Sequence, residues 1–336
     1  MTSENNSLLL NLQEVDKTTG EVVKLDVNST STVQPVALMR LGLFVPTLKS
    51  TGKSKANRKN VTDATEELVQ LSIAKSEGYT DVKITGSRLD MDTDFKVWLG
   101  IIRSMSEYGV KSDTLELSFV EFVKMCGFDS RRSNKKMRDR ISNSLFKLAS
   151  VTLKFQSETK GWTTHLVQSA YYDINEDIVE IKAEPKLFEL YHMDRRVLLR
   201  LKAIDALQRK ESAQALYTYI ESLPQNPAPI SMKRMRDRLN LTSNVYTQNH
   251  TVRKAMEQLR DIGYLDYTEF KRGRATYFSV HYRNPKLISG PVKVPRNEEE
   301  EKAPEQNYDE VIKALKAAGI DPLKLAEALS AMKPEN

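Results

Sequence analysis

Cationic side chains bunched beside amphipathic segments are the groups in this chain best suited to chemistry, and that chemistry is phosphate binding. Arg131, Arg132, Ser133, Asn134, Lys135 and Lys136 crowd one short stretch, and Lys271, Arg272 and Arg274 surround Gly273 in another. Guanidinium and ammonium groups bond phosphate oxygens and release condensed counterions, so their natural partner is a polyanion. The chain as a whole agrees in sign: 51 Lys/Arg against 45 Asp/Glu gives +6 over 336 residues. From Ser289 onward seven Lys/Arg meet ten Asp/Glu, a balance of −3, which leaves +9 on the residues before it. A basic body with an acidic tail favours nucleic acid over a membrane surface.

Groups that could do covalent or metal chemistry are present without working patterns. Gly52-Lys53-Ser54 resembles the end of a phosphate-binding P-loop, but the glycine the motif needs at position 47 is Thr47. His165, His192, His250 and His281 show no metal-ligand spacing. A rolling-circle nickase would pair a His-x-His metal site with a nucleophilic tyrosine; without that site, Tyr171-Tyr172 reads as strand packing. Asp90, Asp92 and Asp94 stand just before a helical stretch at Phe95, where carboxylates complement the helix dipole. Cys126 is the sole cysteine, which excludes an intrachain disulfide and a cysteine-based zinc site. The expectation is no cofactor, no metal and no enzymatic step. No apolar run approaches the roughly 20 residues that span a bilayer. Met1-Thr2-Ser3-Glu4 lacks the layout of a signal peptide, so the cytoplasm is the expected location.

The elements that must position the cationic clusters come as a repeat. Leu117-Ser118-Phe119-Val120-Glu121-Phe122 and Ile230-Ser231-Met232-Lys233-Arg234-Met235 each place an apolar residue, then a serine suited to an N-cap, then apolar residues at matching offsets. A second amphipathic helix follows in both. The spacing predicts it over about Asn134 to Ala149, with Met137, Ile141, Leu145 and Leu148 inward, and over about Asn249 to Ile262, with Val252, Met256, Leu259 and Ile262 inward. A strand comes next, Val151 to Phe155 or Leu265 to Phe270; Met137 to Phe155 and Val252 to Phe270 are both 18 positions apart. Hairpins turn through Glu158 to Trp162 and through Lys271 to Arg274, with a further strand at Ile178 to Ala183. Each unit is preceded by an amphipathic helix, Phe95 to Met105 and Ala213 to Ile220. That order defines an α+β fold of two tandem winged helix-turn-helix domains, in which a helix enters the major groove and the hairpin tip lies on the backbone or in the minor groove.

At about 100° per residue, the inward stripes leave His250, Arg253, Lys254 and Glu257 facing outward in the second unit. Arg or Lys there can bond guanine edges, and Glu257 can accept from a cytosine amino group. Asn249 and Thr251, near the expected helix start, suit phosphate, as do Lys271, Arg272 and Arg274 at the hairpin tip. In the first unit Lys135, Asp139, Ser142 and Asn143 face outward beside the cluster from Arg131 to Lys136.

The expected organisation is a mobile basic arm over 1–60, winged-helix domains over 61–184 and 185–287, an acidic proline-containing linker over 288–306 and a helical hairpin over 307–336. Within the arm, the apolar run from Pro35 to Pro46 could dock on a domain or on a partner.

Three stretches resemble the replication initiators of iteron plasmids, the RepA class of RepFIB-like F-type plasmids and the related RepE-type initiators. They are Ser212 to Ser222 with Pro224 and Pro227 to Ile230, Val252 to Tyr264, and Thr164 to Tyr172. The likeness runs from about Val33 to Arg283. It implies two winged-helix domains that bind tandem origin repeats as a monomer, repression of the protein's own gene as a dimer on an inverted site, and recruitment of the host initiator DnaA and the DnaB helicase. The rival reading of the same modules is a transcriptional repressor that never melts an origin.

Overall fold

Ser118 and Ser231 test the repeat most directly, because each should free a helix from one unsatisfied amide. In a computed structural model of the chain, the Ser118 hydroxyl accepts from the Glu121 amide and the Ser231 hydroxyl from the Arg234 amide, both at 3.2 Å. The structure describes residues 13–15, 22–24, 27–47, 61–63, 79–108, 114–129, 134–173, 175–194 and 196–284.

The chain begins with β1 (Gln13–Val15), β2 (Val22–Lys24), β3 (Ser31–Pro35), α1 (Val36–Arg40), β4 (Phe44–Val45), β5 (Val61–Asp63), β6 (Asp81–Thr85) and β7 (Leu89–Asp90). The first unit follows as α2 (Asp94–Tyr108), β8 (Thr114–Ser118), α3 (Phe119–Met125), α4 (Lys135–Ser150), β9 (Thr152–Gln156), β10 (Gly161–His165), β11 (Val167–Asp173) and β12 (Ile178–Ala183). A connector holds α5 (Pro185–Met193), β13 (Arg196–Arg200) and α6 (Leu201–Ala206). The second unit is α7 (Glu211–Glu221), β14 (Ile230–Ser231), α8 (Met232–Leu239), α9 (Val245–Asp261), β15 (Leu265–Arg272) and β16 (Ala275–Arg283). The fold is mixed α and β.

Helix, strand, helix, helix, hairpin therefore recurs, and the sheets agree: β11-β12-β8 in the first unit and β15-β16-β14 in the second, all antiparallel. The expected turn through Glu158 to Trp162 is present, joining β9 and β10 as an antiparallel hairpin, but the hairpin that matches β15–β16 in the repeat's three-stranded sheet is β11–β12. The strand after α4 pairs elsewhere, in a sheet ordered β10-β9-β6-β5. Val82 and Ile84 on β6 alternate inward in register with Phe155 and Leu153 on β9, so β9 has an apolar partner before it reaches the repeat's own sheet. A strand follows each helix at the shared 18-residue spacing, but the two strands join sheets of different order.

The second correction concerns the arm. Ser31 to Pro46 is buried apart from half-buried Gly42, and joins both units. β3 pairs with β13, and β4 runs parallel to β7. Gln34 takes hydrogen bonds from the Trp98 indole at 2.9 Å and the Tyr191 hydroxyl at 3.1 Å. Arg40 donates twice to the Ser222 carbonyl, and buried Arg238 on α8 donates to the carbonyls of Met39 and Phe44, each at 3.0 Å. Arg88 bridges the Pro46 carbonyl to those of Leu239 and Asn240. One apolar cluster runs through both units, with Leu187 and Phe188 inside it, so the expected boundary at 184 is no gap in the core. The apolar run from Pro35 to Pro46 docks on the chain itself. Residues 48–60 of the expected basic arm, with Lys49, Lys53, Lys55, Arg58 and Lys59 and the Gly52-Lys53-Ser54 sequence, lie outside the described residues. Met1–Val292 forms one unit and Lys293–Asn336 another. The expected linker and C-terminal hairpin also fall outside the described residues.

Gly86 shows how tightly α4 is seated. Its φ is +111°, and a Cβ there would lie 2.3 Å from the Ser150 carbonyl oxygen at the end of α4. Backbone cannot yield as a side-chain tip can, so Gly86→Ala is expected to cost about 3 kcal/mol. The check is a lower denaturant midpoint at unchanged slope.

Candidate nucleic-acid interface

The α9 face forms because Val252, Ala255, Met256 and Leu259 turn into the core. His250, Arg253, Lys254 and Glu257 are thereby left exposed, as the periodicity required. The helix starts earlier than expected. Asn244 is its N-cap, its side chain accepting from the Thr247 amide at 2.9 Å. Asn249 and Thr251 are therefore not at the helix start. Asn249 is half-buried, and the Thr251 hydroxyl donates back to the Thr247 carbonyl at 2.9 Å. The first-turn residues are Val245 and Tyr246, 58% and 85% exposed, which the sequence reading missed. The signal was the turn Thr242-Ser243-Asn244, whose last residue is a strong N-cap type. It was hidden because Val245 and Tyr246 are apolar yet off the buried stripe.

The β15–β16 hairpin is held to that helix by ion pairs. Arg253 donates from Nε and Nη2 to the Glu269 carboxylate on β15, at 2.7 to 3.0 Å. That hydrogen bond raises the Arg253 pKa above its ordinary value, fixing it as a cation. Arg260 donates to the Tyr267 carbonyl at 2.7 Å, pairs with Asp266, and lies 4.0 Å over the Tyr267 ring. Beyond them Lys271, Arg272 and Arg274 are all exposed at the tip, turned by Gly273 with φ +61°. Among the described residues, none forms an ion pair with Lys254, Lys271, Arg272 or Arg274. Four cations on one helix and its hairpin thus stand ready for phosphate.

The first unit presents different chemistry. Asn134 caps α4, accepting from the Met137 amide at 3.1 Å. Lys135, Lys136, Asp139 and Asn143 are exposed and Ser142 is half-buried; Arg131, Arg132 and Ser133 lie outside the described residues. The other cations of α4 are committed inward. Arg138 lies 4.5 Å over Phe119 and 3.7 Å from Asp177, and Arg140 bonds Asp92 and Thr93. Lys147 bonds Asp94 at 2.6 Å and Asp90 at 3.0 Å. Burial, reinforced by the Asp90 charge, pushes the Asp94 carboxyl up to about 6, while Lys147 opposes the rise. The three aspartates thus brace α4 against the start of α2. Phe146, on the row of Asp139 and Asn143, is 72% exposed. The β11–β12 tip is acidic: Asp173, Glu176 and Asp177 occupy the place that Lys271, Arg272 and Arg274 hold on β15–β16. Among the described residues, no helix is long and apolar enough to cross a membrane.

Residues 92–221 match the family model "Initiator Replication protein, WH1". RepFIB replication protein A of Salmonella typhi is 58% identical over 291 residues, covering 85% of this chain and 88% of that protein. The same protein of Escherichia coli strain K12 matches at the same level. A replication protein RepA of Salmonella typhi is 54% identical over 314 residues, 92% of this chain and 90% of that one. The solved structure of domains 2 and 3 of RctB aligns at 12% identity and a TM-score of 0.45, covering 74% of this chain and 98% of that one. With identity above one half along most of both partners, the chain belongs to the RepFIB replication protein A family of plasmid replication initiators.

Proposed function

We propose that the protein initiates plasmid replication as a tandem pair of winged helices, binding repeated duplex sites at an origin. The observation that carries this reading is the α9 face, with Arg253 and Lys254 exposed, continued by three cations at the β15–β16 tip that have no ion-pair partner among the described residues. On it, α9 enters a major groove, its first turn and outward residues meet base edges, and the hairpin grips phosphate. In α4, Lys135, Lys136 and Asn143 make the corresponding contacts. The acidic β11–β12 tip stays off the backbone, so the second unit supplies most of the electrostatic grip. With one groove per unit, a site of about 20 bp follows.

No step of this reading forms or breaks a covalent bond. Origin opening draws on strain imposed by several bound copies, offset by added contacts. Repression of the protein's own gene, as a dimer on an inverted repeat, and recruitment of DnaA and the DnaB helicase belong to the same proposal, and no residue named above carries them. Footprinting on the DNA flanking the gene tests the reading. Protection of repeated sites of about 20 bp is expected, with affinity at least about 1000-fold above random DNA. Supercoiled origin DNA with magnesium should be neither nicked nor primed. Uniform protection at all sequences would remove the sequence-specific part.

A further inference from the structure

The Arg253–Glu269 pair has a geometry that a surface ion pair does not need. Arginine offers two planar forks: Nε with Nη2 along its side, and Nη1 with Nη2 at its end. Glu269 takes the side fork with both carboxylate oxygens. The end fork is left over, on a side chain that is 47% exposed. That is the fork that fits guanine O6 and N7. The two residues sit 16 positions apart on different elements, so the carboxylate ties the orientation of a helix side chain to the hairpin strand.

We propose that Glu269 is a specificity-determining positioning residue, which holds Arg253 by its side fork so that the end fork reads guanine. The inference rests on α9 being the base-reading helix. Two effects follow from the same carboxylate. It spares Arg253 the entropy of being ordered when DNA arrives, which favours the correct base. It also places a negative charge beside the duplex backbone, which weakens every complex in which Arg253 finds no guanine to bond. Without Glu269, Arg253 becomes a mobile cation, able to settle on any nearby phosphate.

Glu269→Ala is therefore expected to tighten binding to random duplex while weakening binding to the origin repeat. The ratio of the two affinities should fall about tenfold, within the range that one bidentate base contact supplies. Four full-length proteins should be compared at fixed salt on both DNAs: the parent, Glu269→Ala, Arg253→Ala and the double variant. If Glu269 acts through Arg253, Glu269→Ala lowers the ratio in the parent and leaves it unchanged in the Arg253→Ala background. Equal falls in both backgrounds, or no fall in the parent, would overturn the proposal. Failure of the DNA-binding reading itself looks different, because the parent would then show no preference for the repeat at all. Glu269 is exposed, so these variants are expected to keep the parent's melting temperature, which separates lost positioning from lost fold.

Discussion

Replacing Lys271, Arg272 and Arg274 together with alanine is expected to weaken binding to the origin repeat about 100-fold at physiological salt. Each phosphate contact releases close to one counterion, worth about fivefold in affinity near 0.15 M salt, and three compound. The plot of log affinity against log salt should become shallower by about 3, and random DNA should lose binding in the same proportion. The expectation rests on three exposed side chains at the end of the β15–β16 hairpin, with no ion partner among the described residues. None packs against the core, so melting of the free protein should not move. A triple variant with an unchanged salt slope would take the hairpin off the DNA, whatever its affinity.

Arg238→Ala should have the largest effect on stability. The side chain is 4% exposed and lies under residues 39–44, donating to the Met39 and Phe44 carbonyls at 3.0 Å and to the Thr218 hydroxyl at 3.3 Å. Alanine strips those buried carbonyls of a charged donor and leaves a cavity where the guanidinium was. Each orphaned acceptor costs about 1–3 kcal/mol, so a loss of about 4 kcal/mol is expected. Urea unfolding should show it as a lower midpoint. DNA binding should fall with it only at temperatures where the variant has begun to melt. A loss below about 1 kcal/mol would mean that water replaces the guanidinium and that residues 39–44 do not depend on it.

The helices were legible from the sequence because their signals are local. Ser118 and Ser231 lie in matched surroundings, and a 3.6-residue period places Ile141, Leu145, Leu148, Val252, Met256 and Leu259 inward without reference to distant residues. Strand partnership is not local. Nothing within Val151 to Phe155 says that it pairs with Asp81 to Thr85 rather than with the strand beside Ser118, because an alternating strand fits any apolar neighbour in register. The same limit hid the role of Ser31 to Pro46. Its apolar character was plain, but the chemistry that places it belongs to Arg238, Ser222 and residues 196–200. At the candidate interface the exposed row of α9 was readable as periodicity. Its start at Val245 was not, since Val245 and Tyr246 are apolar residues facing solvent. The Arg253–Glu269 pair depends on the hairpin folding back over the helix, a contact that helix periodicity does not specify. The two units were expected to be separate bodies and share a core, yet Lys135 and Arg253 still face solvent, so the DNA-binding reading survives the loss of that independence.

The seating of residues 31–46 also sets the order in which the protein can be made. On the ribosome this apolar stretch emerges well before its anchor Arg238, which lies 194 residues beyond Phe44. At about 5–20 residues per second, it waits about 10–40 seconds before that partner is synthesised. Throughout that interval Val33, Leu38, Met39, Leu41, Leu43 and Phe44 have no finished surface to cover them. The newborn chain is therefore prone to aggregation at this stretch until Arg238 has emerged. The supply of active initiator depends on how fast translation runs, and on whatever shields extended apolar chain in the meantime.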